Sequence, residues 1–196
     1  MIRSTTLLCA SLLSSAAFAA PVNYTFDMLH SLPHFSVEHF QFSTVRGRFD
    51  RMSGKAIFDQ AAKTGSIEIR IPTASVNTGD PNRGDGKRSR DDILKAPEFF
   101  NSAEFPEMIF RSTKLNFKGD DVESVDGTLT LLGVTKPVKL NAVHFKCGPN
   151  PFNKKPMCGG EFEATIKRSD WGMKFGVPVA VSDNVKLNLG FEAYAD

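Results

Sequence analysis

Val185-Lys186-Leu187-Asn188-Leu189-Gly190-Phe191-Glu192-Ala193 decides the fold class. Val185, Leu187, Leu189, Phe191 and Ala193 fall on one side of an extended chain, and Lys186, Asn188 and Glu192 on the other. Successive side chains of a strand point to opposite faces, so this stretch has one dry face and one wet face. A parallel strand covered on both sides would be apolar throughout. The stretch therefore predicts antiparallel sheet with a core on one side.

The same alternation extends outward over residues 22–196. In residues 44–51, Val45, Gly47 and Phe49 oppose Thr44, Arg46, Arg48 and Asp50. Ile67, Ile69 and Ile71 oppose Ser66, Glu68 and Arg70; Val125, Leu129 and Leu131 oppose Asp126, Thr128 and Thr130. Phe162, Ala164 and Ile166 oppose Glu161, Glu163 and Lys167. Turn signals separate these runs, among them Ala62-Lys63-Thr64-Gly65 and Lys118-Gly119-Asp120-Asp121. About eight strand candidates emerge, a number typical of a small closed barrel. A two-sheet sandwich fits the pattern as well.

One stretch breaks the rhythm. Residues 77–89 are polar and Gly-rich, hence a loop. Ser89 with Asp92 resembles a helix start. Ile93 and Leu94 give that helix an apolar side, Pro97 limits its length, and Phe99 and Phe100 follow. A second short helix is expected over residues 33–40, carrying Phe35 and Phe40. Both helices read as lids on a barrel mouth. The chain shows no internal repeat and no linker, so residues 20–196 are read as one domain.

The first 19 residues read as a secretory signal. Arg3 is a short positive region, Leu7-Leu8-Cys9-Ala10-Ser11-Leu12-Leu13 is apolar, and Ala17-Phe18-Ala19 is a small-x-small cleavage pattern near Ala19/Ala20. The apolar run is too short to span a bilayer. Export follows as the expectation. What remains is long enough for one domain with a sizeable core. The formal charge of the whole chain is +2, which argues against nucleic acid as main partner. There are 17 phenylalanines and one tryptophan, Trp171, more large rings than a small core needs. Cys147 and Cys158 flank a loop rich in Pro, Asn and Lys that offers no further metal ligands. In an oxidising compartment a disulfide is expected, worth about 2–3 kcal/mol.

Catalytic signatures are absent. There is no nucleophile elbow, no phosphate-binding Gly loop and no Cys-x-x-Cys pair. His30, His34 and His39 lie near one another, but Pro33 interrupts helical spacing, and a metal needs three or four converging ligands. Arg83-Gly84-Asp85 and the sequon Asn23-Tyr24-Thr25 are short matches that chance explains.

Several segments, taken in order, resemble the YceI-like family of lipocalin-like, polyisoprenoid-binding periplasmic proteins. They are Phe35-Ser36-Val37-Glu38-His39, Ser43-Thr44-Val45-Arg46-Gly47-Arg48-Phe49, Ser75-Val76-Asn77-Thr78, and Arg90-Asp91 through Leu94 to Phe99-Phe100. They continue with Phe105-Pro106, Phe110-Arg111-Ser112-Thr113, Gly127-Thr128-Leu129-Thr130-Leu131-Leu132-Gly133-Val134-Thr135-Lys136-Pro137-Val138, and Arg168-Ser169-Asp170-Trp171-Gly172-Met173. The resemblance covers the chain from about Asn23 onward. It implies an all-β, eight-stranded antiparallel lipocalin-like barrel around an elongated apolar cavity. It also implies a long lipid inside, such as a polyprenyl compound or isoprenoid quinone. Two departures lie near the presumed mouth. The loop between Thr78 and Arg90 is longer than usual, and Ile93 stands where the family often has histidine. The Cys147–Cys158 pair looks like an addition.

Phe35, Phe40, Phe49, Phe99, Phe100, Phe110, Leu129, Leu131, Trp171, Phe175, Leu187 and Leu189 form the candidate lumen. Trp171 fits a packing anchor equally well. Arg90, Asp91 and Lys174 are candidates for a head group at the mouth, and each also fits an ordinary surface charge. The expected function is a periplasmic, non-enzymatic carrier without a cofactor beyond its lipid. It makes transient membrane contact, and is a monomer or homodimer. Two other readings compete. One is an enzyme in the same cavity, needing an acid/base residue such as His39, His144 or Asp27. The other is an envelope interaction protein with a vestigial cavity.

Overall fold

Alternation carries through to strands β1 (Val22–Phe26), β2 (Leu32–His39), β3 (Ser43–Phe49), β4 (Ser53–Asp59), β5 (Thr64–Pro72) and β6 (Val76–Asn77). It continues in β7 (Glu107–Lys118), β8 (Asp121–Leu131), β9 (Val134–Pro149), β10 (Pro156–Lys167) and β11 (Val181–Ala195), with one helix, α1 (Arg90–Lys95). The computed structural model describes residues 20–80 and 88–196. Residues 1–19, read above as a signal, and Arg83-Gly84-Asp85 lie outside the described residues.

The sheet closes through the ring β1-β4-β5-β7-β8-β9-β10-β11, with β11 pairing back onto β1. This is an eight-stranded antiparallel barrel, and closure decides against a sandwich. Every pairing between the strands is antiparallel. The remaining strands extend three of the staves. β11 pairs with β1 near its C-terminal end (Phe26↔Ala193) and with β2 nearer its start (Leu187↔Phe35). So β1 and β2 are two halves of one stave, as are β3 and β4, and β5 and β6. Kinks at residues 27–31 and 50–52 and a 3-10 turn at Thr73–Ser75 separate the halves.

The expected helix over residues 33–40 is not formed, because β2 occupies that segment. The governing period is two: Phe35, Val37 and His39 share one face, and β11 and β3 supply backbone partners on either side. Phe40 falls in the β2–β3 turn with φ 51. The α1 helix forms as expected. Ser89 Oγ accepts from the Asp92 amide at 3.0 Å, and the Asp92 carboxylate accepts from the Ser89 amide. Ser102 donates its amide to the Lys95 carbonyl, folding the segment after the helix back on itself.

One end of the barrel is filled. Phe58 stacks on Phe117 at 5.7 Å and meets Phe145 edge-on, while Phe145, Phe162 and Phe191 form a further ring cluster. Cys147 and Cys158 face each other across β9 and β10 in this half and are joined by a disulfide. The other end carries the β2–β3 turn, α1 with the segment following it, the β8–β9 turn, and the β10–β11 connection.

Candidate functional site

The open half of the barrel encloses a cavity of about 520 Å³. Its wall is built by strand residues spaced two apart: Phe35 and Val37 from β2, Leu129 and Leu131 from β8, Val185, Leu187 and Leu189 from β11. Beyond β6 the chain leaves the wall, and Ile93, Leu94, Phe99 and Phe100 line the cavity there. Phe49 contacts Phe35 at 5.8 Å and Phe100 at 5.4 Å, linking the strand wall to this lid.

Polar groups are few. Among the described lining residues they are His34, His39, Ser43, Arg90, Arg168 and Asn188, and none of these described residues is a carboxylate. Arg168 is 3% exposed. Its guanidinium donates to the carbonyl oxygens of Ser182, Met173, Phe175 and Val181 at 2.8–3.1 Å. These bonds tie the β10–β11 connection to the wall. The Phe99 ring lies 5.9 Å from its guanidinium carbon. Burial pulls the Arg168 pKa below the ordinary value, and the Asp183 carboxylate opposes this.

Phe35, Phe49, Phe99, Phe100, Phe110, Leu129, Leu131, Phe175, Leu187, Leu189 and Arg90 all line the cavity. Four other candidates do not. Phe40 is half exposed in its turn, with its ring edge-on to His39 at 4.3 Å. Trp171 is buried behind the wall, where its indole N–H donates to the Leu129 carbonyl at 3.1 Å, so it packs rather than lines. Asp91 is buried away from the cavity because its carboxylate accepts the amide and hydroxyl of Thr78, tying α1 to the end of β6. Lys174 points to solvent. Sequence reasoning missed Arg168 as a wall residue. An arginine beside Ser and Asp reads as surface, and nothing local announces that four carbonyls converge on it.

The acid/base candidates are scattered. His39 lines the cavity, whereas His144 is exposed near Glu161 at 3.9 Å. Asp27 sits at the β1–β2 kink, outside the cavity lining, and accepts from His30 at 2.8 Å. That hydrogen bond holds the Asp27 carboxyl below its usual range and raises the His30 imidazole. Glu192 lies 4.0 Å from His30, and the three residues form a loose group on the outer wall. Among the described residues, no helix is long and apolar enough to cross a membrane.

The chain matches the YceI-like domain family over residues 24–193. It is 34% identical to Protein YceI of Escherichia coli O17:K52:H18, covering 93% of this chain and 92% of that one. It is 38% identical to the UPF0312 protein of Shewanella denitrificans, covering 95% and 94%. A solved polyisoprenoid binding domain from Saccharophagus degradans, implicated in plant cell wall breakdown, superposes with a TM-score of 0.62. That match covers 89% of this chain and 99% of that one at 18% identity.

Proposed function

The chain belongs to the YceI-like family, and from that premise we propose that it is a periplasmic carrier of a long isoprenoid-type lipid. The observation that carries the reading is the cavity of about 520 Å³, apolar apart from a few groups, inside a closed barrel. Its size falls within the range of about 300–1,000 Å³ typical of small-molecule sites. The name of the Saccharophagus relative supports this class of cargo. A polyprenyl chain or an isoprenoid quinone fits the lining equally. Residues 1–19, read as a cleaved signal, supply the compartment.

Each methylene leaving water gains about 0.8 kcal/mol. The competing site for such a lipid is the bilayer, which is already apolar. Net preference for the barrel over the membrane is therefore modest, as loading and unloading require. A relative named for polyisoprenoid binding, and a cavity with no carboxylate among its described lining residues, favour holding over catalysis.

Purification from the native host followed by mass spectrometry is the direct test. A co-extracted isoprenoid lipid is the expected result, and repeated preparations with an empty barrel count against the proposal. Leu129→Asp places a carboxylate in the wall and abolishes loading, with circular dichroism reporting whether the barrel still forms.

A further inference from the structure

The barrel interior is divided. The cavity of about 520 Å³ stops short of the closed end, where a separate void of about 50 Å³ lies among Phe58, Phe145, Phe162 and their neighbours. Four residues line both spaces: Ile69 on β5, Phe110 on β7, Leu140 on β9 and Leu189 on β11. They are the partition between the two.

The partition is firmly held. Ile69 and Phe110 are direct partners across β5 and β7 and are 3% and 6% exposed. Leu140 is 8% exposed. The Phe110 ring lies over Gly127 of the neighbouring strand. A Cβ at position 127 would stand 2.4 Å from its Cζ, so the glycine is what lets the ring lie flat there. Below the partition the stacked rings of the filled end leave no room for a chain.

We infer that Ile69, Phe110, Leu140 and Leu189 form a septum that sets how much of a lipid tail the barrel accepts. The inference rests on the carrier reading and specifies its cargo. A cavity of about 520 Å³ holds several isoprene units and ends at this septum. Further units stay at the mouth or in the bilayer and add little to binding.

The test measures affinity along a graded series of linear polyprenols, from geraniol through farnesol and geranylgeraniol to solanesol. Competition against an environment-sensitive apolar dye gives the readout on the purified full barrel. The wild-type affinity is expected to rise with each unit over the shorter members and to level off before solanesol. Phe110→Ala joins the two spaces and moves the plateau at least one isoprene unit longer. Ile71→Phe adds bulk on the mouth side of Ile69, on the same strand face, and moves the plateau shorter. If Phe110→Ala does not fold, Leu189→Val carries the lengthening arm at lower risk. A wild-type affinity that climbs steadily to solanesol overturns the septum, as does a plateau that neither folded variant moves. Failure of any polyprenol to bind the wild type overturns the carrier reading itself, and the septum with it.

Discussion

Arg168 is the residue whose environment departs most from its type. A guanidinium is rarely buried without a carboxylate directly on it. Here its charge is met by four carbonyl oxygens, two from the β10–β11 connection (Met173, Phe175) and two from the start of β11 (Val181, Ser182). The fork geometry of arginine suits such convergence, and a single ammonium cannot span it. Arg168→Met removes the donors and leaves carbonyls unpaired beside an apolar cavity. We expect a loss of about 2–4 kcal/mol in chemical denaturation. Arg168→Lys should recover only part of it, and a wild-type-like midpoint for Arg168→Met would contradict this account. Alternation identified Leu129, Leu131 and Leu187 as wall residues because inward direction follows from period alone. It did not separate Phe99 and Phe100, which line the cavity, from Phe40 and Trp171, which do not. Those four lie outside regular strand interiors, where tertiary contacts decide direction.

At the scale of elements, the strands and α1 were legible because each has a local cause: alternation for the strands, the Ser89–Asp92 box for the helix. The breaks that halve three staves were not. Residues 27–31, 50–52 and 73–75 bend the wall without Gly or Pro clusters to announce them, and the register of β11 against both β1 and β2 is set only by closure. The segment expected as a short helix carrying Phe35 and Phe40 is β2 instead, where Phe35 and Val37 follow the two-residue spacing of a strand. The disulfide was legible from the spacing of the two cysteines and the expected compartment, and its position yields a prediction. Cys147 and Cys158 bridge β9 and β10 away from the large cavity, whose lining contains neither residue. Replacing both by serine should lower stability by about 2–3 kcal/mol, the loop-closure contribution of so short a loop. Lipid retention measured below the lowered melting point should not change. A variant that unfolds normally but loses its cargo would place the disulfide in the binding machinery instead.

For the whole molecule, the two ends of the barrel differ in a way that bears on how cargo enters. One end is packed with rings and stapled by the disulfide; the other holds the cavity. The β2–β3 turn and the β10–β11 connection meet at this open end, where the Phe40 amide donates to the Ala180 carbonyl at 3.0 Å. Phe42 is 94% exposed in the turn, and Phe175 and Val179 are 59% and 73% exposed in the connection. Large apolar side chains so exposed on adjoining loops cost solubility, and they gain only where something apolar meets them. If cargo comes from a bilayer, these are the first groups to reach it. Phe42 and Val179 do not line the cavity, so they can be changed without altering its wall. Phe42→Ser with Val179→Ser should therefore leave equilibrium loading from detergent intact. Transfer of a fluorescent polyprenyl lipid to phospholipid vesicles should slow by about tenfold or more, since burying each such side chain is worth about 1.5–3 kcal/mol. Equal transfer rates for the variant and the wild type would mean that cargo does not enter through this rim.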